Sequence, residues 1–136
     1  MTYAIDTNIL SYILNGNAVV STKLESVVGS SNTVVIPLIV YYESRRGLLA
    51  KGATAKIRAF DSLISRIGVL DLTMCDMDTA AVIYANQKRS GYITDDADLL
   101  IAAQCVTHGF TLVTANTRHF KHIERLQIVN WALEEL

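Results

Sequence analysis

Three acids in this chain, Asp6, Glu43 and Asp98, could build a metal site. Convergent carboxylates repel one another and do not contribute stability, so such a cluster needs a cation. Acid oxygens with no nearby His or Cys ligands favour Mg²⁺ or Mn²⁺ over Zn²⁺. A metal held there orients a phosphodiester, polarises its oxygen and lowers the pKa of a coordinated water. The chemistry would be metal-assisted phosphodiester hydrolysis. Spacing alone leaves simpler roles open for each residue. Asp6 could be a helix N-cap. Glu43 could pair with Arg46 at i+3. Asp95, Asp96 and Asp98 could be first-turn acids favoured by the helix dipole, with Asp95 as the cap. Thr114 and Asn116 could be turn residues, and His119 a surface histidine.

Convergence requires particular elements. Thr2 to Ile5 reads as a buried strand that delivers Asp6 at its C-terminal end, with a helix starting at Thr7 or Asn8 and closing near Leu14. A helical pattern over Val19–Val28 precedes a second strand, Thr33–Ile36. Pro37 suits a first helical position, and the helix from Leu38 to Lys51 carries Glu43. A helix over Thr54–Ile67 and a strand over Gly68–Leu72 follow. Asp76 or Asp78 can cap a helix from Thr79 to Arg89. The helix starting near Asp95 ends at His108-Gly109, and Phe110–Thr114 is a clear strand followed by Asn116. Leu126–Val129 is a possible edge strand. This alternation predicts an α/β fold with a mainly parallel sheet. Right-handed crossovers put the strand ends on one edge, where ligands bind. Asp6, Glu43 and Asp98 would meet Thr7 and Asn116 there.

The totals agree with one compact domain spanning 1–136. The chain is 51% hydrophobic and 18% charged, with a mean hydropathy of +0.30. That composition implies a well-buried core or a sizeable partner surface. No apolar run is long enough to span a membrane, and no basic, signal-like start precedes Asp6, so a cytoplasmic protein is expected. Cys75 and Cys105 lack metal-like spacing and read as buried free thiols. A net charge of −1 argues against nucleic-acid binding by bulk charge. Two basic regions nonetheless suit phosphates: Arg45, Arg46, Lys51, Lys56 and Arg58, and then Arg118, Lys121, His122 and Arg125. Tyr12, Tyr41, Tyr42, Leu48 and Leu49 read mainly as core, with groove or dimer contacts as the alternative.

With these residues assembled, the chain resembles the PIN-domain ribonucleases, and within them the VapC-type toxins of toxin–antitoxin pairs. The resemblance is carried by Ile5-Asp6-Thr7-Asn8-Ile9-Leu10, Tyr42-Glu43 with Arg46-Gly47-Leu48, Asp98-Leu99-Leu100-Ile101-Ala102-Ala103, and Leu112 through Phe120. Each fragment is weak alone; four in this order and spacing are strong. The resemblance implies a three-layer α/β/α fold and a Mg²⁺- or Mn²⁺-dependent endoribonuclease. It makes Asp6, Glu43 and Asp98 the metal-binding catalytic acids, with Thr7, Asn8, Thr114 and Asn116 as supporting polar residues and Asp96 as a second-tier acid. Arg46, Arg118 and His119 are candidate phosphate contacts. His119 stands where the family often has an acid, which puts a second metal in doubt. The resemblance further implies an RNA substrate, with transfer RNA as a first expectation, a cognate antitoxin protein and a homodimer. Two other readings are weighed: a PIN fold that binds RNA or protein without cutting, and a haloacid-dehalogenase-like phosphatase. The phosphatase wants Asp-x-Asp after the first strand, and Asn8 stands at its second acid.

Overall fold

The structure is a computed structural model that describes residues 1–133. The first strand, β1 (Thr2–Ile5), passes through Asp6 into α1 (Thr7–Leu14) and then α2 (Ala18–Val28). β2 (Thr33–Pro37) feeds α3 (Leu38–Lys51), α4 (Thr54–Ile67) and the short β3 (Val69–Leu70). α5 (Met74–Ser90) and α6 (Asp96–His108) lead to β4 (Thr111–Val113) and β5 (Gln127–Val129). The strands form one parallel sheet in the order β3-β2-β1-β4-β5. The fold is a three-layer α/β/α arrangement. Its two central strands, β1 and β4, are the ones that end at Asp6 and Thr114.

Parallel strands covered by helices need apolar residues on both faces. β4 meets this fully, with Thr111, Leu112 and Val113 all buried. Ile5, Ile36 and Leu112 from the strands, Ile9 and Leu10 from α1, Val40 from α3, Phe60 from α4 and Ile101 from α6 form the core. Phe120 joins it from the chain after β4, and Trp131 packs on Tyr3 with ring centroids 5.6 Å apart. A smaller cluster of Ala80, Leu99 and Ala103 fastens α5 to α6. Small residues there let the two helices approach closely, which fixes the helix that carries Asp98. No helix among the described residues is long and apolar enough to cross a membrane.

Several expectations need correction. α5 begins at Met74, not Thr79, because Thr73 and Asp76 form a capping box. The Asp76 backbone N–H donates to Thr73 Oγ1, and Asp76 Oδ2 accepts from the Thr73 backbone N–H at 2.9 Å. Asp76 is thus inside the helix, on its third residue, and fully buried. The third strand is correspondingly shorter than Gly68–Leu72. Pro37 is the N-cap of α3, in an extended conformation (ψ 147°), and closes β2 instead of opening the helix. Cys105 is buried as expected, but Cys75 is exposed, in the first turn of α5. Tyr12, Tyr42 and Leu49 are also exposed, whereas Tyr41 and Leu48 pack on the core. Tyr42 and Leu49 lie seven residues apart, on one stripe of α3 turned to solvent.

Candidate active site

Asp6 is the corner of the site. Its backbone N–H donates to the Val113 carbonyl at 2.9 Å, which extends the β1–β4 ladder by one rung. Its side chain caps α1, Oδ1 accepting from the Thr7 backbone N–H at 2.8 Å. The residue is only 4% exposed. A buried carboxylate must be hydrogen-bonded, and Oδ2 accepts from Thr114 Oγ1 at 2.7 Å and Asn8 Nδ2 at 3.1 Å. The Thr114 hydroxyl gives its proton to Asp6 and in turn accepts from the Asn116 backbone N–H at 3.0 Å. Asn8 Oδ1 accepts from the Ala115 backbone N–H at 2.9 Å. The Thr114 backbone is itself tied to Val129 of β5 at 3.0 Å. Asp6, Asn8 and Thr114 are thus a closed network between two strand ends and a helix start. N-capping by Asp6 and membership of the site are one arrangement, not alternatives.

Glu43 reaches this corner through Thr7, whose hydroxyl donates to Glu43 Oε1 at 2.8 Å. Its other oxygen lies 3.9 Å from an Arg46 terminal nitrogen, so the i+3 ion pair is present too. The Arg46 guanidinium also lies 4.9 Å from the centre of the Tyr42 ring. Asp98 approaches from α6. Asp95 is the cap of that helix, its Oδ1 accepting from the Asp98 backbone N–H at 3.0 Å. Asp98 Oδ2 lies 3.2 Å from His119 Nδ1. The Asp98 carboxyl is held above the usual carboxylate range, first by burial and then by the negative charges of Asp95 and Asp6; His119 opposes the shift.

Other expected members stand further off. Asp96 is exposed, and among the described residues it hydrogen-bonds to none of the cluster. Asn116 contributes its backbone N–H, while its exposed side chain lies with Arg118 and His119 at a shallow depression. His119 is 58% exposed but touches an acid, so it is not an idle surface histidine. The sequence reading missed Ala115, whose backbone N–H fixes Asn8; backbone donors leave no residue-type signal. It also missed Gln87, buried in α5, whose side-chain amide donates to Thr94 Oγ1 at 2.8 Å and holds the loop before Asp95. A surface depression of about 720 Å³ lies between α2 and the chain after β5, and among the described residues no carboxylate lines it. Two smaller clefts, 210 and 290 Å³, flank the acids at Glu43 and at Asp98.

A hard divalent cation fits the donors. They are the carboxylate oxygens of Asp6, Glu43 and Asp98, the hard donors such an ion prefers. Among the described residues no three His, Cys, Asp or Glu side chains stand close enough to hold an ion alone.

Comparison with known proteins agrees with this construction. The family profile described as PIN domain matches residues 3–126. A curated relative, ribonuclease VapC2 of Rickettsia felis, is 29% identical over 132 residues, covering 96% of this chain and 98% of the relative. Ribonuclease VapC1 of Haemophilus influenzae is 27% identical over 136 residues, with the same coverage of each. The crystal structure of VapBC2 from Rickettsia felis, bound to a DNA fragment from its promoter, superposes with a TM-score of 0.90 at 29% identity, covering 96% of this chain and 99% of that one. The profile spans the strand end that presents Asp6, the helices that carry Glu43 and Asp98, and the loop after Thr114: the chain belongs to the PIN domain family.

Proposed function

We propose that this protein is a metal-dependent endoribonuclease and the toxin of a VapBC-type toxin–antitoxin pair. The observation that carries the reading is the corner at Asp6: a buried acid with both oxygens hydrogen-bonded, to the Thr7 backbone and to Thr114 and Asn8, at the ends of β1 and β4. Relatives that share nearly the whole length are named ribonucleases, and the superposed structure is a complex with an antitoxin partner. Asp6, Glu43 and Asp98 are the proposed metal-binding acids, and Mg²⁺ or Mn²⁺ the proposed ion. When bound, such an ion polarises a phosphodiester oxygen and neutralises charge built up in the transition state. The chain's own groups do the rest. Thr7, Asn8 and Thr114 fix Asp6, and the Thr7 hydroxyl fixes Glu43. Arg46, Arg118 and His119 stand at the rim, where they can contact phosphates on either side of the reacting bond. RNA is the proposed substrate, with transfer RNA as the first class to test. A cognate antitoxin, a homodimer and a cytoplasmic location complete the proposal.

A second reading, binding without cleavage, draws on His119 standing where the family often has an acid. One experiment separates the two. Purified protein, free of antitoxin, is incubated with total cellular RNA in Mg²⁺ or Mn²⁺, then in EDTA, beside Asp6→Ala. Discrete fragments that require both the metal and Asp6 are expected. Intact RNA throughout, with metal binding retained, would favour the binding-only reading.

A further inference from the structure

Beside the acids lies a cleft of 290 Å³ whose wall is aromatic. Tyr92 and His122 stack on one another in that wall, with ring centroids 3.7 Å apart and planes at 19°. Tyr92 is 45% exposed and its neighbour Ile93 is 89% exposed, in the loop between α5 and α6. The loop is not loosely hung. Gly91 takes the left-handed conformation that closes α5 (φ 80°), the Tyr92 backbone N–H donates to the Gln87 carbonyl at 3.0 Å, and the buried Gln87 side chain holds Thr94. Arg118 and His119 also line the cleft. Asp98 and His119 belong to this cleft and to the acid cluster at once. The cleft is therefore continuous with the site of reaction.

We infer that this cleft is a nucleobase subsite for single-stranded RNA, receiving the base next to the phosphodiester to be cleaved. This inference rests on the ribonuclease reading and specifies its substrate. Aromatic side chains take up unpaired bases because every base has a π face, whatever its sequence. Bases inside an A-form duplex are stacked on one another, so the Tyr92–His122 wall selects loops, bulges and ends. The volume lies at the lower end of small-molecule sites, about 300 Å³, which admits one base and no helix. Arg118, with Lys121 and Arg125 on the same segment, supplies the charge a flanking phosphate needs. Recognition there is by stacking and strandedness, with weak preference among bases.

The test is binding of a fluorescein-labelled single-stranded oligoribonucleotide of mixed sequence, followed by anisotropy in EDTA. Blunt duplex RNA of the same sequence is the control. Tyr92→Ala is expected to weaken single-strand binding about ten-fold or more, to leave duplex binding unchanged, and to be rescued by Tyr92→Phe. Equal single-strand affinity of the wild type and Tyr92→Ala would overturn the subsite. So would an equal loss for both RNA forms, or no single-strand binding by the wild type. If Tyr92→Ala loses its native circular dichroism, His122→Ala is judged by the same criteria. Cleavage by the wild type in Mg²⁺ is run in parallel. Cleavage with unaltered binding in the variant removes the subsite alone, whereas absent cleavage removes the ribonuclease reading whatever the binding shows.

Discussion

Asp6 and Asp98 are both aspartates at helix starts near one edge of the sheet, yet their surroundings are opposite. Asp6 sits at a seam between strands, 4% exposed, and receives hydrogen bonds from Thr7, Asn8 and Thr114. Asp98 sits at a rim, its side chain 20% exposed, between Asp95 and Asp6 on one side and His119 on the other. Asp6 has its stabilisation built in. Asp98 is left in a field that disfavours its charge, and a cation would reverse that field. The contrast predicts a division of labour: removing the Asp6 carboxylate costs the fold even without an ion, whereas removing the Asp98 charge does not.

The largest effects should separate the two residues by stability, not by activity. Asp6→Ala and Asp98→Asn are each expected to cut RNA cleavage by about 10²-fold or more, the scale for removing a preorganised charged group. Their melting temperatures should move in opposite directions. Asp6→Ala leaves the Thr114 hydroxyl, the Asn8 amide and the Thr7 backbone N–H without their acceptor, at about 1–3 kcal/mol. Asp98→Asn removes a charge the fold disfavours, so the metal-free variant should melt higher than the wild type. The pH dependence follows from the raised Asp98 pKa. A carboxyl raised in the folded state destabilises the fold wherever it is ionised. The penalty is full above the folded pKa and fades as the pH falls through it towards the unfolded value. The advantage of Asp98→Asn over wild type, measured by thermal denaturation in EDTA, should therefore be largest at neutral pH and vanish in acid. Both variants melting lower at neutral pH would break the comparison.

Thr114→Val comes next. The swap keeps the shape and removes the one hydroxyl that serves Asp6, Asn8 and the Asn116 backbone together. Losing the partner that orients a metal-ligand carboxylate costs about 10- to 100-fold in metal affinity or activity. Mn²⁺ affinity measured by calorimetry, beside cleavage rate, checks this. An unchanged affinity would mean that Asn8 alone holds Asp6 in place.

This contrast also marks what was legible in the sequence. The strand end at Asp6 could be read because an apolar, β-tolerant run stops at an acid followed by Thr7 and Asn8. The parallel sheet could be read from the alternation of elements, and Asp95 as the α6 cap was among the open alternatives. The Thr73–Asp76 box was passed over, since an aspartate at the third position is a weaker signal than glutamate. Contacts between distant residues were not legible at all. That Thr7 joins Glu43 depends on where α3 crosses α1, and Tyr92 meets His122 only because Phe120 buries itself and carries the following segment back over α5. Exposed stripes such as Tyr42 and Leu49 misled because hydrophobic residues argue for burial without saying which side of a helix is covered.

The smallest effect concerns His119, and it sharpens the division between corner and rim. Its ring lies on Asp98 and lowers that carboxyl's proton affinity, while more than half of its side chain is in water. An exposed partner of this kind contributes at most about 1 kcal/mol, and often nothing measurable. His119→Ala should therefore leave the melting temperature within a degree or so of wild type. It should move the titration of Asp98 to higher pH, which ¹³C NMR of the carboxyl can follow in the metal-free protein. His119→Asp goes further in the same direction. It replaces the opposing group with another acid, so Asp98 should titrate higher still and Mn²⁺ should bind more tightly, because each added carboxylate is repulsive without the ion and attractive to it. An Asp98 titration indifferent to both substitutions would leave its shift to burial and the charges of Asp95 and Asp6, and His119 would then have no part in setting the charge of the site.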